Sequence, residues 1–150
     1  PMASRGRDFP DSGYRLDVQH TIPPVPAHPI TEGVEPFHLV DELYLAPIFE
    51  DSLTPLFRSD FEFVDSNFYS ASRALEGKLN CRDDWSHPPG SNIVGWVKNY
   101  EKSPIVYLQF GDGASAYENP AFQTILANAI RWAASESARA WAKTTSRGSP

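Results

Sequence analysis

Two periods of apolar residues run along the chain, and the change from one to the other separates strands from helices. In residues 14–22, Tyr14, Leu16, Val18, His20 and Ile22 alternate with Arg15, Asp17, Gln19 and Thr21. That is the two-residue period of a strand with one buried face. Pro23, Pro24 and Pro26 end it, because each fixes φ and removes a ladder donor. Residues 28–33 (HPITEG) predict a compact turn. Residues 37–45 (FHLVDELYL) predict the next strand, with Asp41 and Glu42 set between apolar neighbours. Short strands are predicted over 52–58 and 61–64, divided by Ser59-Asp60, and one or two helical turns over 67–75. Residues 78–91 (KLNCRDDWSHPPGS) predict a long polar loop held by Trp85. Residues 92–100 and 104–110 predict a hairpin that turns at Glu101-Lys102-Ser103.

The last helix carries the fullest set of local signals. Asn119 is a good N-cap, and Pro120 suits the first helical position, where its missing N–H costs nothing. Phe122, Ile125, Leu126, Ala129, Ile130 and Ala133 then mark one face at i, i+3, i+4, i+7, i+8 and i+11. The helix is expected to run on to Trp141 or Lys143. With strand 104–110 and the Gly111-Asp112-Gly113 turn it forms a strand–turn–helix unit closing an α/β sheet. Residues 1–13 predict a lead-in loop, 14–143 the structured part and 144–150 a loose tail; no internal repeat is seen.

Composition narrows the partners. At 150 residues, with 41% hydrophobic and 13% aromatic residues, the chain suits one domain with a real core. Its net charge is −6 and its Lys and Arg residues are scattered, which argues against nucleic acid and anionic membranes. Small molecules or proteins are the expected partners. A single cysteine, Cys81, rules out an internal disulfide framework and a cysteine-rich metal site, and fits a cytoplasmic location. The greasiest stretch, residues 105–110, is strand-sized and too short to span a bilayer. The first residues lack the apolar centre of a signal peptide. They also begin with Pro rather than Met, so an upstream portion is expected.

Five segments stand out together: HPITEG (28–33), DELY (41–44), GWVKNYEKSPIVYLQFGDG (95–113), ENPAF (118–122) and NAIRWAA (128–134). In this order and spacing, from about residue 13 to 134, the chain resembles the C-terminal part of the ThuA-like, or trehalose-utilisation, family. The resemblance implies a flavodoxin-like α/β fold, the three-layer sandwich of the class I glutamine amidotransferases. It also implies a bacterial protein acting on trehalose or a related sugar or keto-sugar. The family's opening βαβ half, with its glycine-rich turn and Gly-Leu-His-type motif, has no match here. Several strands with one long helix cannot cover both faces of a parallel sheet. A fragment, a split subunit or a gene remnant is therefore expected, and the isolated chain is expected to fold poorly or self-associate.

Candidate chemistry centres on a few polar groups. On a strand, Asp41 and Glu42 point to opposite faces and cannot act as one acid/base pair. Asp41 shares the face of Leu43 and Leu45, leaving Glu42 and Tyr44 on the other. Glu42 is then either a solvated edge carboxylate or, as the resemblance suggests, a ligand of sugar hydroxyls or a general base oriented by Tyr44. His28, held extended by Pro29, is either a ligand or a proton shuttle at the mouth of the sheet, or a turn histidine bonded to backbone. Asp112 follows a near-continuous apolar strand, where α/β ligands gather, or is a plain turn residue. Many family members carry histidine at that position, so a histidine-based role does not carry over. Cys81 lacks the strand-to-helix context of a nucleophile. Trp85 and Tyr117, in polar loops, are candidates to stack on a sugar ring, whereas Trp96 and Trp132 are expected in the core. Of the remaining histidines, His20 is expected in the core, and His38 and His87 have no recognisable partner. No His/Asp/Glu set has metal-site spacing, so neither metal nor cofactor is expected. A small-molecule carbohydrate is the expected partner, with a homo-oligomer or a complementing chain as the alternative.

Overall fold

Alternation in residues 14–22 and again in residues 37–45 produces the first pair of strands. The computed structural model describes residues 9–25 and 27–145. β1 (Gly13–Ile22) pairs antiparallel with β2 (Phe37–Leu45), and a two-residue strand, β4 (Tyr69–Ser70), lies on the other edge of β1. The second sheet places β5 (Ile93–Tyr100) between β3 (Thr54–Arg58) and β6 (Ser103–Leu108), again antiparallel. Among the described residues the α-helices are α1 (Ala71–Leu75), α2 (Ala114–Glu118), α3 (Pro120–Ala134) and α4 (Glu136–Thr145). This mixed α/β architecture is consistent with an α/β flavodoxin-like fold.

The sheets are joined along two seams. At the first, the chain leaving β1 runs beside β3: Val25 N donates to Leu56 O at 2.7 Å, Asp60 N to Thr21 O at 3.1 Å, and Pro24 bridges Phe57. At the second, side chains from residues 109–119 bond the free edge of β2. Gln109 Nε2 donates to Tyr44 O (2.7 Å), Ser115 Oγ to Val40 O (3.3 Å) and Asn119 Nδ2 to His38 O (2.9 Å). Such bonds satisfy edge carbonyls that would otherwise template pairing with another chain.

Between the sheets lies one core containing Leu39, Leu43, Leu56, Phe57, Val94 and Val97. Phe37, Phe57 and Phe110 meet edge-on, with centroids 5.8–6.5 Å apart, and Phe110 meets Phe122 of α3 at 5.5 Å. Burying each such ring stabilises the fold by about 1.5–3 kcal/mol, so this row of rings fixes the sheet–helix junction firmly. α4 packs on β5 and β6, and α3 on the turn at Pro29–Thr31.

Several expectations are corrected. Residues 61–64 are not a strand: Phe61 N donates to Ser59 Oγ and Phe63 O accepts from Gly90 N, so their backbone is committed to loop contacts. Leu16 is exposed although its alternation predicts burial, because a bulge between Arg15 and Val18, with Asp17 at φ 53°, turns it outward. The long helix breaks at Ser135, which is extended and caps α4 by accepting from Ala138 N. On α3 the buried stripe is Phe122, Ile125, Ala129 and Trp132, while Leu126 and Ile130 face out. Trp96 is half-buried and stacks on Tyr107 outside the core, with centroids 4.8 Å apart. Thr144 and Thr145 belong to α4 rather than to a tail. Pro26, residues 1–8 of the predicted lead-in and residues 146–150 of the predicted tail lie outside the described residues.

Candidate functional site

β2 sorts its acidic pair by strand geometry alone. Asp41 is buried with Leu43 and Leu45, while Glu42 is half-buried on the opposite face and Tyr44 is 36% exposed there. Tyr44 Oη donates to Glu42 Oε2 along that face. Two residues apart on one side of a strand is the spacing that permits this contact.

Asp112 comes to the same place from across the molecule. β6 delivers Phe110 into the core, and the chain then turns at Gly111, whose φ of 120° an L side chain rarely adopts. Asp41 holds this turn from beneath. Its Oδ2 accepts from Gly111 N (2.5 Å) and Asp112 N (3.4 Å), and its Oδ1 from Gly113 N (3.1 Å) and its neighbour Glu42 N (2.9 Å). The turn amides therefore serve an internal carboxylate, and the Asp112 side chain is left exposed.

The electrostatics reflect this crowding. Burial raises the Glu42 carboxyl above its ordinary value, the Tyr44 hydroxyl draws it back down, and the charges of Asp112 and Asp41 add to the rise. The Tyr44 phenol is also pushed up, first by burial, then by its bond to Glu42 and the charges of Glu42 and Asp112. Tyr107, stacked on Trp96, is raised by burial. Glu42, Tyr44 and Asp112 are thus one interacting group, with Tyr107 close enough to act on Tyr44. Tyr117 lies nearby: its ring meets Phe122 at 5.2 Å, and its hydroxyl is 3.7 Å from where a Gly111 Cβ would stand.

Other singled-out residues are engaged elsewhere. His28 caps the turn at Pro29–Thr31, its Nδ1 accepting from Ile30 N at 3.2 Å, and its ring meets Trp132 edge-on at 4.9 Å. It sits in the connection from β1 to β2, whereas Glu42 and Tyr44 lie toward the other end of β2. Burial lowers its pKa. Trp85 donates its indole N–H to Asp11 O (2.9 Å) and packs against the core. His20 is a core histidine, with Nδ1 2.7 Å from Ser59 Oγ. His38 Nδ1 lies 3.1 Å from Thr21 Oγ1, and His87 Nδ1 2.6 Å from Pro88 O. Cys81 is a free, half-buried thiol.

Sequence reasoning missed the part played by Asp41. The available signal was a carboxylate on an apolar strand face, which has to find donors when buried. Among the described residues, no group of three or more His, Cys, Asp or Glu could hold a metal, and no helix is long and apolar enough to cross a membrane.

No curated protein and no solved structure matches this chain. A family model described as ThuA, trehalose utilisation, matches residues 6–133. With most of its length inside that match, the chain belongs to the ThuA, trehalose-utilisation, family.

Proposed function

We propose that the chain binds and processes a sugar or keto-sugar of trehalose utilisation at the surface of Glu42, Tyr44 and Asp112. The observation that carries this reading is their proximity: Glu42 and Tyr44 bond each other on one face of β2, and Asp112, exposed on the turn beside that strand, is close enough for its charge to act on both, as Tyr107, stacked on Trp96, is to act on Tyr44. Carboxylates accept from sugar hydroxyls, and aromatic faces cover the apolar side of a sugar ring. Glu42 is the general base, since a carboxyl raised above its ordinary value is a better proton acceptor near neutrality. It takes a proton from a hydroxyl, or from the carbon next to a keto group. Tyr44 orients it, Asp112 binds hydroxyls, and Tyr117 flanks the site.

Calorimetric titration of the chain with trehalose and its keto derivatives, followed by product analysis, tests this. Glu42→Gln is expected to keep binding and to lower turnover by about 10²-fold or more. Full turnover in Glu42→Gln removes Glu42 as the base, and an absence of binding to any of these sugars ends the reading.

A second reading, a non-catalytic module that assembles with another chain, is favoured by the outward apolar pair on α3. Leu126 is 36% and Ile130 63% exposed, one turn apart. An inert oligomer by size exclusion with light scattering supports it, and an active monomer does not.

A further inference from the structure

Asp41 is a buried carboxylate that the catalytic reading leaves unused. It is 5% exposed and sits on the core face of β2. Each of its oxygens accepts two backbone N–H groups, from Gly111 and Asp112 on one side and from Gly113 and Glu42 on the other. Three of those donors lie 70 to 72 residues away in the chain. A carboxylate that accepts several amides has its lone pairs matched without any counter-charge. Successive amides of a turn form an anion-binding concavity, and here the anion is part of the protein.

We propose that Asp41 is the positioning residue of this site, an internal anion that gathers the turn amides and so holds Asp112 beside Glu42 and Tyr44. The inference rests on the reading of that group as the sugar-facing surface. Its physical content, however, concerns the free protein. Asparagine has nearly the shape of aspartate, but its NH₂ would face two of the four backbone donors. The turn would lose those bonds, and Asp112 would lose its fixed place. Glu42 would lose two neighbouring negative charges together, since Asp41 and Asp112 both act on it. His20 of β1, buried in the core, also feels the Asp41 charge.

Carbon and nitrogen NMR of the full chain tests the proposal without any sugar. Scalar couplings across the hydrogen bonds are expected between the Asp41 side-chain carboxyl carbon and the amides of Gly111 and Gly113. In Asp41→Asn, those two amides are expected to lose hydrogen-exchange protection, and the Glu42 titration midpoint is expected to fall. In Asp112→Asn, the midpoint is also expected to fall while the amides of Gly111 and Gly113 stay protected. Absent couplings in the wild type overturn the proposal, as do unchanged amides and an unchanged Glu42 midpoint in a folded Asp41→Asn. If Asp41→Asn does not fold, the wild-type couplings and Asp112→Asn still decide. Failure of the sugar titrations alone would remove the substrate and leave the positioning role standing.

Discussion

Tyr44 donates its hydroxyl to the carboxylate of Glu42, two residues back on the same face of β2. The bond favours the charged form of Glu42, while burial and the charges of Asp112 and Asp41 disfavour it. Removing one influence from each side should therefore move Glu42 in opposite directions. In Tyr44→Phe the Glu42 titration midpoint should rise; in Asp112→Asn it should fall. If the ionised form is the working base, the acidic limb of the pH–rate profile moves to higher pH in the first variant and lower pH in the second. Carboxyl-carbon NMR reads both midpoints, and shifts of the same sign would contradict the arrangement.

Stability should fall as the solution is acidified through the histidine range. Burial lowers His20 and His28 below the ordinary value of 6.5, although Asp60 and Asp41 partly restore His20. The unfolded chain therefore takes up these protons first as the pH drops. Stability is full above about pH 6.5 and declines toward the folded-state values. Glu42, being raised, acts the other way: the folded state takes up its proton first, so that contribution grows as the pH falls. Urea unfolding at about pH 7.5 and about pH 5.5 should show a loss in the wild type and a smaller loss in His20→Gln. An equal loss in both would mean that His20 is not a source of the dependence.

What was legible in the sequence was what short-range chemistry decides. Asn119 and Pro120 announce the start of α3 because a cap involves only the next few residues. The faces of Asp41 and Glu42 follow from the two-residue period of a strand. The turn that Asp41 holds was not legible, because three of its four donors lie 70 to 72 residues further on and no periodicity encodes that meeting. Residues 61–64 look like a strand locally, but Phe61 and Phe63 put their rings against Phe68 while their backbone bonds to loops. The α3 stripe came out rotated toward Trp132, because the helix packs on a narrow turn whose His28 ring meets that indole. The separation of His28 from Glu42 is likewise a matter of topology, since both sequence segments look equally suited to a site.

Asn119 ties a helix to a strand with one side chain, and its two ends can be tested apart. Its Oδ1 accepts from Ala121 N at 2.9 Å and Phe122 N at 3.4 Å, while its Nδ2 donates to His38 O at 2.9 Å. Asn119→Ala removes both and should cost about 1–2 kcal/mol. Asn119→Ser keeps a cap acceptor but cannot reach β2, so its cost should fall between alanine and wild type. Urea denaturation measures the order, and a serine variant as damaging as alanine would assign the whole effect to the bond with His38.

Gly111 and Gly113 flank the same aspartate but make different demands. Gly111 has φ 120°, and a Cβ there would stand 3.0 Å from Phe122 Cζ, in the row of rings that fixes the sheet–helix junction. Gly113 is not in the positive-φ region, and its Cβ would meet Ser115 Oγ at 3.4 Å and Asp41 Oδ1 at 3.8 Å, ordinary contacts. Gly111→Ala should therefore lower stability by about 1–3 kcal/mol, from backbone strain and from pressure on the Phe122 ring. Gly113→Ala should stay within about 0.5 kcal/mol of wild type. Because the strained turn also carries Asp112, Gly111→Ala should in addition lower the Glu42 midpoint, whereas Gly113→Ala should not. Equal losses in the two variants would show that the positive φ at Gly111 is not what the turn requires.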